Sequence, residues 1–209
     1  VSKKRRLLEK SSRQLCQLAC LLAMLSACMS PPPPRLSAHD ITDIQSVETY
    51  LNDMPRFVAH FTQSGAFGPG AGLLWLDRPG HLRIDYAGPT ARLMVISSGR
   101  VRVLDRATGA LTTMPLSRTP LGILLADHIT LTGPVTVTSL SHTGDTLQLT
   151  LQKTSAPAQG SLTLTLTTHP LALAQVTVVN PAQQSLTMAL SDIDTNPKLT
   201  ADLFAAPGS

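Results

Sequence analysis

Aromatic side chains are scarce in this sequence, with one Trp, two Tyr and four Phe among 209 residues. So few rings leave little for stacking on bases or sugars, which argues against a nucleic-acid binder. Cysteine is equally rare. The three present stand at 16, 20 and 28, so residues 29–209 contain no disulfide, which an oxidising compartment allows but does not require. Catalytic signatures are missing too. The six histidines (39, 60, 81, 128, 142 and 169) form no His-x-His and no His-Glu-x-x-His, and no acidic cluster stands at metal spacing. There is no Gly-x-Ser-x-Gly, and GPGAG at 68–72 lacks the Lys of a phosphate loop and reads as a hairpin tip. Asp127-His128 reads as a helix terminus with a nearby cation rather than a dyad. The expectation is a protein that is not an enzyme and carries no metal or other cofactor.

The formal charge of +4 is concentrated at one end. Six of the 17 basic residues and one of the 13 acidic ones lie within residues 1–13, which leaves 11 basic and 12 acidic residues beyond them. This basic stretch precedes the apolar run LCQLACLLAML (15–25) and then small residues, the three parts of an export signal. The run is too short to span a bilayer, which takes about 20 apolar residues. It ends in Leu25-Ser26-Ala27-Cys28, which resembles a bacterial lipobox and makes Cys28 a lipidation candidate. Plain cleavage near Ala27 or further on is the alternative. Four consecutive prolines at 31–34 then form a stiff extended spacer. The expected organisation is a signal peptide over 1–27, a Pro-rich tether over 28–37 and one domain over 38–209.

That domain opens with a helix that Ser37 or Asp40 would cap. Ile41, Ile44, Val47, Glu48 and Leu51 follow its 3.6-residue period, and Asn52-Asp53 with Pro55 ends it. From Phe57 the period becomes two. TLQLTLQK (146–153) and SLTLTLTT (161–168) alternate Leu with Thr or Gln, and LAQVTVVN (173–180) and QSLTMALSDI (184–193) follow the same habit. Turn residues separate them at hairpin spacing. The sequence predicts a mainly β (α+β) domain with an antiparallel sheet of about ten or eleven strands. A sheet so wide is expected to curl to bury its apolar face.

One segment interrupts the strands. SRTPLGILLADH (117–128) offers Thr119 as N-cap and Pro120 at the first helical position. Leu121, Ile123, Leu124 and Leu125 would then surround a short helix with apolar side chains. Such a helix is either a core plug or a lid over an apolar cavity, and Gly122 suits an element that shifts. The stretch LLWLDRPGHLRIDY (73–86) centres on Pro79-Gly80, which reads as a type II turn. Beyond it Leu82, Ile84 and Tyr86 face one side, with His81, Arg83 and Asp85 on the other. Arg83 and Asp85 read as a solvated pair. Arg78 stands at the rim of the apolar face, where its five donors would meet either carbonyls at the end of a short helix or the carboxylate of Asp77 or Asp105.

The blocks Phe61-Thr62-Gln63, Gly72 through Pro79, Leu82 to Tyr86, Ser97-Ser98-Gly99 and Thr119-Pro120, with the closing ADLFAAP (201–207), resemble the periplasmic lipoprotein carriers of the LolA family. The likeness covers most of residues 40–207. It implies a curled, incomplete antiparallel barrel, or half-barrel, with helices as a lid over an apolar concave face. It further implies that Arg78 holds the closed lid, formed here by Pro120, Leu121, Ile123, Leu124 and Leu125. The candidates for the acyl cavity are Leu74, Trp75, Leu82, Ile84, Tyr86, Leu93 and Val95. The implied partners are acylated lipoproteins, an inner-membrane lipoprotein-release transporter and an outer-membrane acceptor, with the protein itself a monomer that binds no nucleic acid.

Two features depart from that pattern. Family carriers are soluble, and the Arg78-Pro79 block and Thr119-Pro120 lid favour that role, whereas Cys28 suggests a membrane anchor and hence a LolB-type lipoprotein receptor or a dual-role protein. Leu82 and Ile84 also stand where the family has aromatic residues. A structural envelope lipoprotein with a filled core is the further alternative.

Overall fold

The computed structural model describes residues 36–88 and 92–207. The expected signal peptide, Cys28 and most of the Pro-rich tether lie outside these residues. The described part begins with α1, Ala38–Asp53, whose N-cap Ser37 and third residue Asp40 close a reciprocal capping box. Ile44, Val47 and Leu51 are buried as the periodicity predicts. Ile41 instead remains 47% exposed, so the buried stripe starts one turn later than expected.

Eleven strands follow: β1 Arg56–Gly65, β2 Gly70–Asp77, β3 His81–Tyr86, β4 Arg92–Ser97, β5 Arg100–Asp105, β6 Leu111–Pro115, β7 Val135–Thr143, β8 Thr146–Lys153, β9 Ser161–Thr168, β10 Leu171–Val179 and β11 Ser185–Asp194. They form one antiparallel sheet in the order β6-β5-β4-β3-β2-β1-β11-β10-β9-β8-β7. All neighbours are hairpin partners except β1 and β11, whose pairing (Phe61 opposite Leu190, Gln63 opposite Met188) joins the first strand to the last.

The expected curled half-barrel is not what forms. Among the described residues the sheet is open and not strongly curled, with β6 and β7 as its two outermost strands. Curling would be required only if the sheet had to bury its apolar face against itself. Other elements do that work. Over β7–β10, α1 together with Ile123, Ile129 and Leu131 packs on Leu147, Leu149, Leu151, Leu162, Leu164 and Leu166. Over β1–β5, Met54, Leu116, Leu121 and Leu125 pack on Phe57, Leu74, Leu76, Leu82, Ile84 and Val101. At about 1.5–3 kcal/mol for each fully buried aliphatic side chain, this covered face is the main source of stability.

The opposite face is polar where the sequence alternates Leu with Thr. Thr150 and Thr163 hydrogen-bond across β8 and β9 at 3.0 Å, as do Thr177 and Thr187 across β10 and β11. Near β3 and β4 this face is partly covered by a 3-10 turn, Ala201–Phe204. Arg83 donates there to the Leu203 carbonyl at 3.2 Å and to Asp85 at 2.9 Å. Arg106 donates to the same carboxylate at 2.7 Å, so the Arg83–Asp85 pair is half-buried and three-membered rather than simply solvated. The interrupting segment, 116–134, is longer than the expected 117–128, but little of it is helical. It contains a four-residue 3-10 helix, Pro120–Ile123, and the Thr119 hydroxyl caps nothing there but donates to the Leu116 carbonyl.

Candidate functional site

Arg78 follows β2 and opens the three-residue turn 78–80 into β3. The Arg78–Pro79 peptide is cis, and Gly80 takes φ +76°, a positive φ that glycine adopts without strain. The Arg78 amide donates to the Pro55 carbonyl at 2.9 Å. The side chain then follows the alternation of Leu74 and Leu76 onto the covered face, where it is only 9% exposed.

There the guanidinium meets the C-terminal end of α1. Nη2 donates to the carbonyls of Leu51 and Met54, the latter at 3.2 Å, and Nη1 donates to Asn52 Oδ1 at 3.3 Å. The last carbonyls of a helix lack intrahelical donors and carry its negative dipole end, so a cation satisfies both needs. Neither carboxylate considered from the sequence is used. Asp77 pairs with Arg56, and Asp105 accepts from the amides of Ala107 and Thr108. The helix-carbonyl arrangement holds, but on the long helix rather than the short one. Burial pushes the Arg78 guanidinium below its ordinary value, with the charge of Asp127 acting in the opposite sense.

Asn52 extends this contact to the interrupting segment. Its Oδ1 accepts from both Arg78 and the Ile129 amide, and its Nδ2 donates to the Ile129 carbonyl, both Ile129 bonds being 2.9 Å. Glu48 accepts from the Leu131 amide at 2.7 Å, and the Gly80 amide donates to the Leu125 carbonyl at 2.9 Å. Residues 125–131 are therefore tied to α1 and to the β2–β3 turn by polar bonds as well as by packing. Sequence reasoning missed Asn52 and Glu48 as site residues. Asn52 reads as a helix stop, and the available signal for Glu48 was a charge on an otherwise apolar stripe.

Against Arg78 lies a small apolar cavity of about 50 Å³. Of the residues singled out in the sequence, Leu74, Leu82, Ile84, Leu121 and Leu124 line it with Arg78. Ile123, Leu125 and Pro120 are buried without lining it. Tyr86 shares the covered face but lies away from the cavity, donating to Gln63 at 2.5 Å with its ring edge-on to Phe61. Trp75, Leu93 and Val95 lie on the opposite face by strand alternation, in register with Arg83 and Asp85. Trp75 carries the Arg83 guanidinium 5.8 Å above its ring, and Val95 is fully buried. The rest of the lining includes Met54, Phe57, Leu173, Val176, Met188 and Leu190, which are distant in sequence and meet only because β1 pairs with β11.

The model of the family described as outer membrane lipoprotein carrier protein LolA matches residues 53–207. No curated protein sequence matches the chain. Among solved structures, a putative outer membrane lipoprotein-sorting protein domain from Vibrio parahaemolyticus is similar, with 11% identity, TM-score 0.44, and 78% of this chain and 94% of that one covered. The Mycobacterium tuberculosis lipoprotein LppX is 7% identical with TM-score 0.43, over 78% of this chain and 100% of its own. An uncharacterized conserved protein from Thermus thermophilus is 9% identical with TM-score 0.46, over 80% of this chain and 94% of that one. Likeness at this level says nothing about what is bound.

Proposed function

The chain belongs to the family of outer membrane lipoprotein carriers, and from that premise we propose that it binds lipoprotein acyl chains between its covered sheet face and the cover made by α1 and residues 116–131. Membership places the chain among periplasmic carrier proteins rather than enzymes. The chemistry of the task explains the need for such a cover. A long acyl chain is held in a membrane by roughly 10 kcal/mol, at ~0.8 kcal/mol per methylene, so a carrier must offer comparable apolar surface. It must also hide that surface when empty, because a large exposed apolar patch aggregates.

The closed cavity is too small for such cargo. A void of ~150 Å³ admits a benzene ring, and this one is a third of that size. An acyl chain therefore enters only if the cover moves off the sheet. The observation that carries the reading is Arg78: a buried cation beside an apolar cavity, bonded to the helix end and through Asn52 to residues 125–131. Moving the cover exchanges those bonds for water, while the cargo replaces the apolar contacts. In this reading Arg78 holds the closed state, cargo is received from an inner-membrane release transporter, and an outer-membrane acceptor takes it on. If Cys28 is acylated, the same body works from a membrane anchor as a LolB-like receptor, and the mass of the mature N-terminus distinguishes the two.

The test is titration of the purified body, residues 37–209, with a fluorescent apolar dye, followed by competition with acylated lipoprotein. Saturable binding displaced by the acylated but not the deacylated cargo supports the proposal. An intact fold that binds no dye selects the alternative, an envelope protein with a filled core.

A further inference from the structure

Two of the six histidines, far apart in sequence, meet at the start of α1. His39 and Asp43 are one helical turn apart on α1, and His142 comes from β7. His39 Nδ1 lies 2.7 Å and His142 Nε2 2.9 Å from the same oxygen, Asp43 Oδ2, with the two rings edge to face at 5.3 Å. Asp40 adds a carboxylate, so that two nitrogens and two carboxylate groups each offer a ligand atom within 4.8 Å of the others. The group stands at the side of an open hollow of about 530 Å³ that His169 and Asp145 also line.

The geometry points to a divalent transition-metal site of the zinc class, with His39, Asp43 and His142 as ligands and Asp40 in reach. Two imidazoles and a carboxylate are the donor set that borderline metals prefer, whereas magnesium and calcium select oxygen. Zinc bonds of 2.0–2.2 Å place ligand atoms about 3.3 Å apart, so each imidazole nitrogen needs to draw back from the Asp43 oxygen by about half an ångström. Exposed His39 and His142 side chains, 74% and 40% accessible, have room for that movement. On binding, the nitrogen now facing Asp43 gives its lone pair to the metal, and in a neutral ring the proton sits on the other nitrogen. The positive end of α1 opposes a cation there, and the charges of Asp40 and Asp43 offset it.

Such an ion would fasten the first turns of α1 to β7. Arg78 and Asn52 already fasten the other end of α1, and the two attachments are independent. The inference does not depend on what the cavity binds.

The test uses the untagged full chain with Cys16, Cys20 and Cys28 replaced by Ser, so that no thiolate competes. Zinc alone is titrated calorimetrically, with magnesium in excess. The expected result is one zinc per chain. Each of His39→Ala, Asp43→Asn and His142→Ala should weaken it at least about tenfold, and His128→Ala should leave it unchanged. Circular dichroism confirms that the variants fold. Absent binding, or binding indifferent to the three ligand substitutions, overturns the site.

Discussion

Replacing Arg78 by Leu removes three hydrogen bonds at once, to the carbonyls of Leu51 and Met54 and to Asn52 Oδ1. Asn52 keeps its two bonds to Ile129, so the principal loss falls on the helix carbonyls. A buried polar group left without its partner costs about 1–3 kcal/mol. Against this, leucine spares the cost of holding a charge away from water, which the lowered guanidinium value registers. The net expectation is a loss of about 1–3 kcal/mol in urea unfolding, the carbonyl loss outweighing the relief. The loss should also be local. Amide exchange should accelerate most in the last turn of α1 and at 125–131, and less in β8 and β9, whose amides are held by ladders to β7 and β10 and to each other that do not involve Arg78. If the cover must open to admit cargo, weakening the closed state by about 1.4 kcal/mol raises dye affinity about tenfold and slows cargo release. Unchanged stability with unchanged exchange at 125–131 would refute the role assigned to this side chain.

Asn52→Ala should cost about 1–3 kcal/mol by urea unfolding and loosen residues 125–131 even with Arg78 in place, since both Ile129 groups lose their partner. Leu164→Ala, at a fully buried position, should cost about 2–5 kcal/mol and lower the thermal midpoint without sparing any element. Gly72→Ala should be severely destabilising, because an added Cβ would sit 2.0 Å from the Asp85 carbonyl oxygen; a variant of wild-type thermal stability would show that β2 and β3 can separate there. For Asp85, burial raises its carboxyl, but the bonds from Arg106 and Arg83 outweigh it and the net value falls below the ordinary 3.8. Its folded value being the lower one, the stabilisation is complete above 3.8 and is lost as pH falls through the folded value. The stability gap between wild type and Asp85→Asn should therefore narrow from about pH 6 to about pH 3, and a constant gap would contradict the assignment.

The Leu/Thr alternation defined β8 and β9 to the residue because one face is dry and the other wet along their whole length. The helix end was equally legible from Asn52-Asp53 and Pro55. Curvature was not. It depended on what covers the apolar face, and no period in the sequence reveals that α1 and residues 116–131 take that place. The same limit explains the misplaced cavity candidates. Leu93 and Val95 are as apolar as Met94 and Ile96, and only the register with β3 decides which pair faces the cover. Arg78 could be singled out by its place beside a rigid turn, but its partners come from a helix more than twenty residues earlier. His142 meeting His39 lies beyond any local pattern, since it requires β7 to end beneath the start of α1.

The most direct measurement of the central claim, that apolar cargo displaces the cover held by Arg78, is amide exchange at residues 120–131 with and without an acylated lipoprotein. Faster exchange in that segment on loading, together with saturable dye-competed binding, is the predicted result. Tight binding of the acylated lipoprotein with exchange at 120–131 unchanged would mean that the cargo sits elsewhere and the cover is simply core.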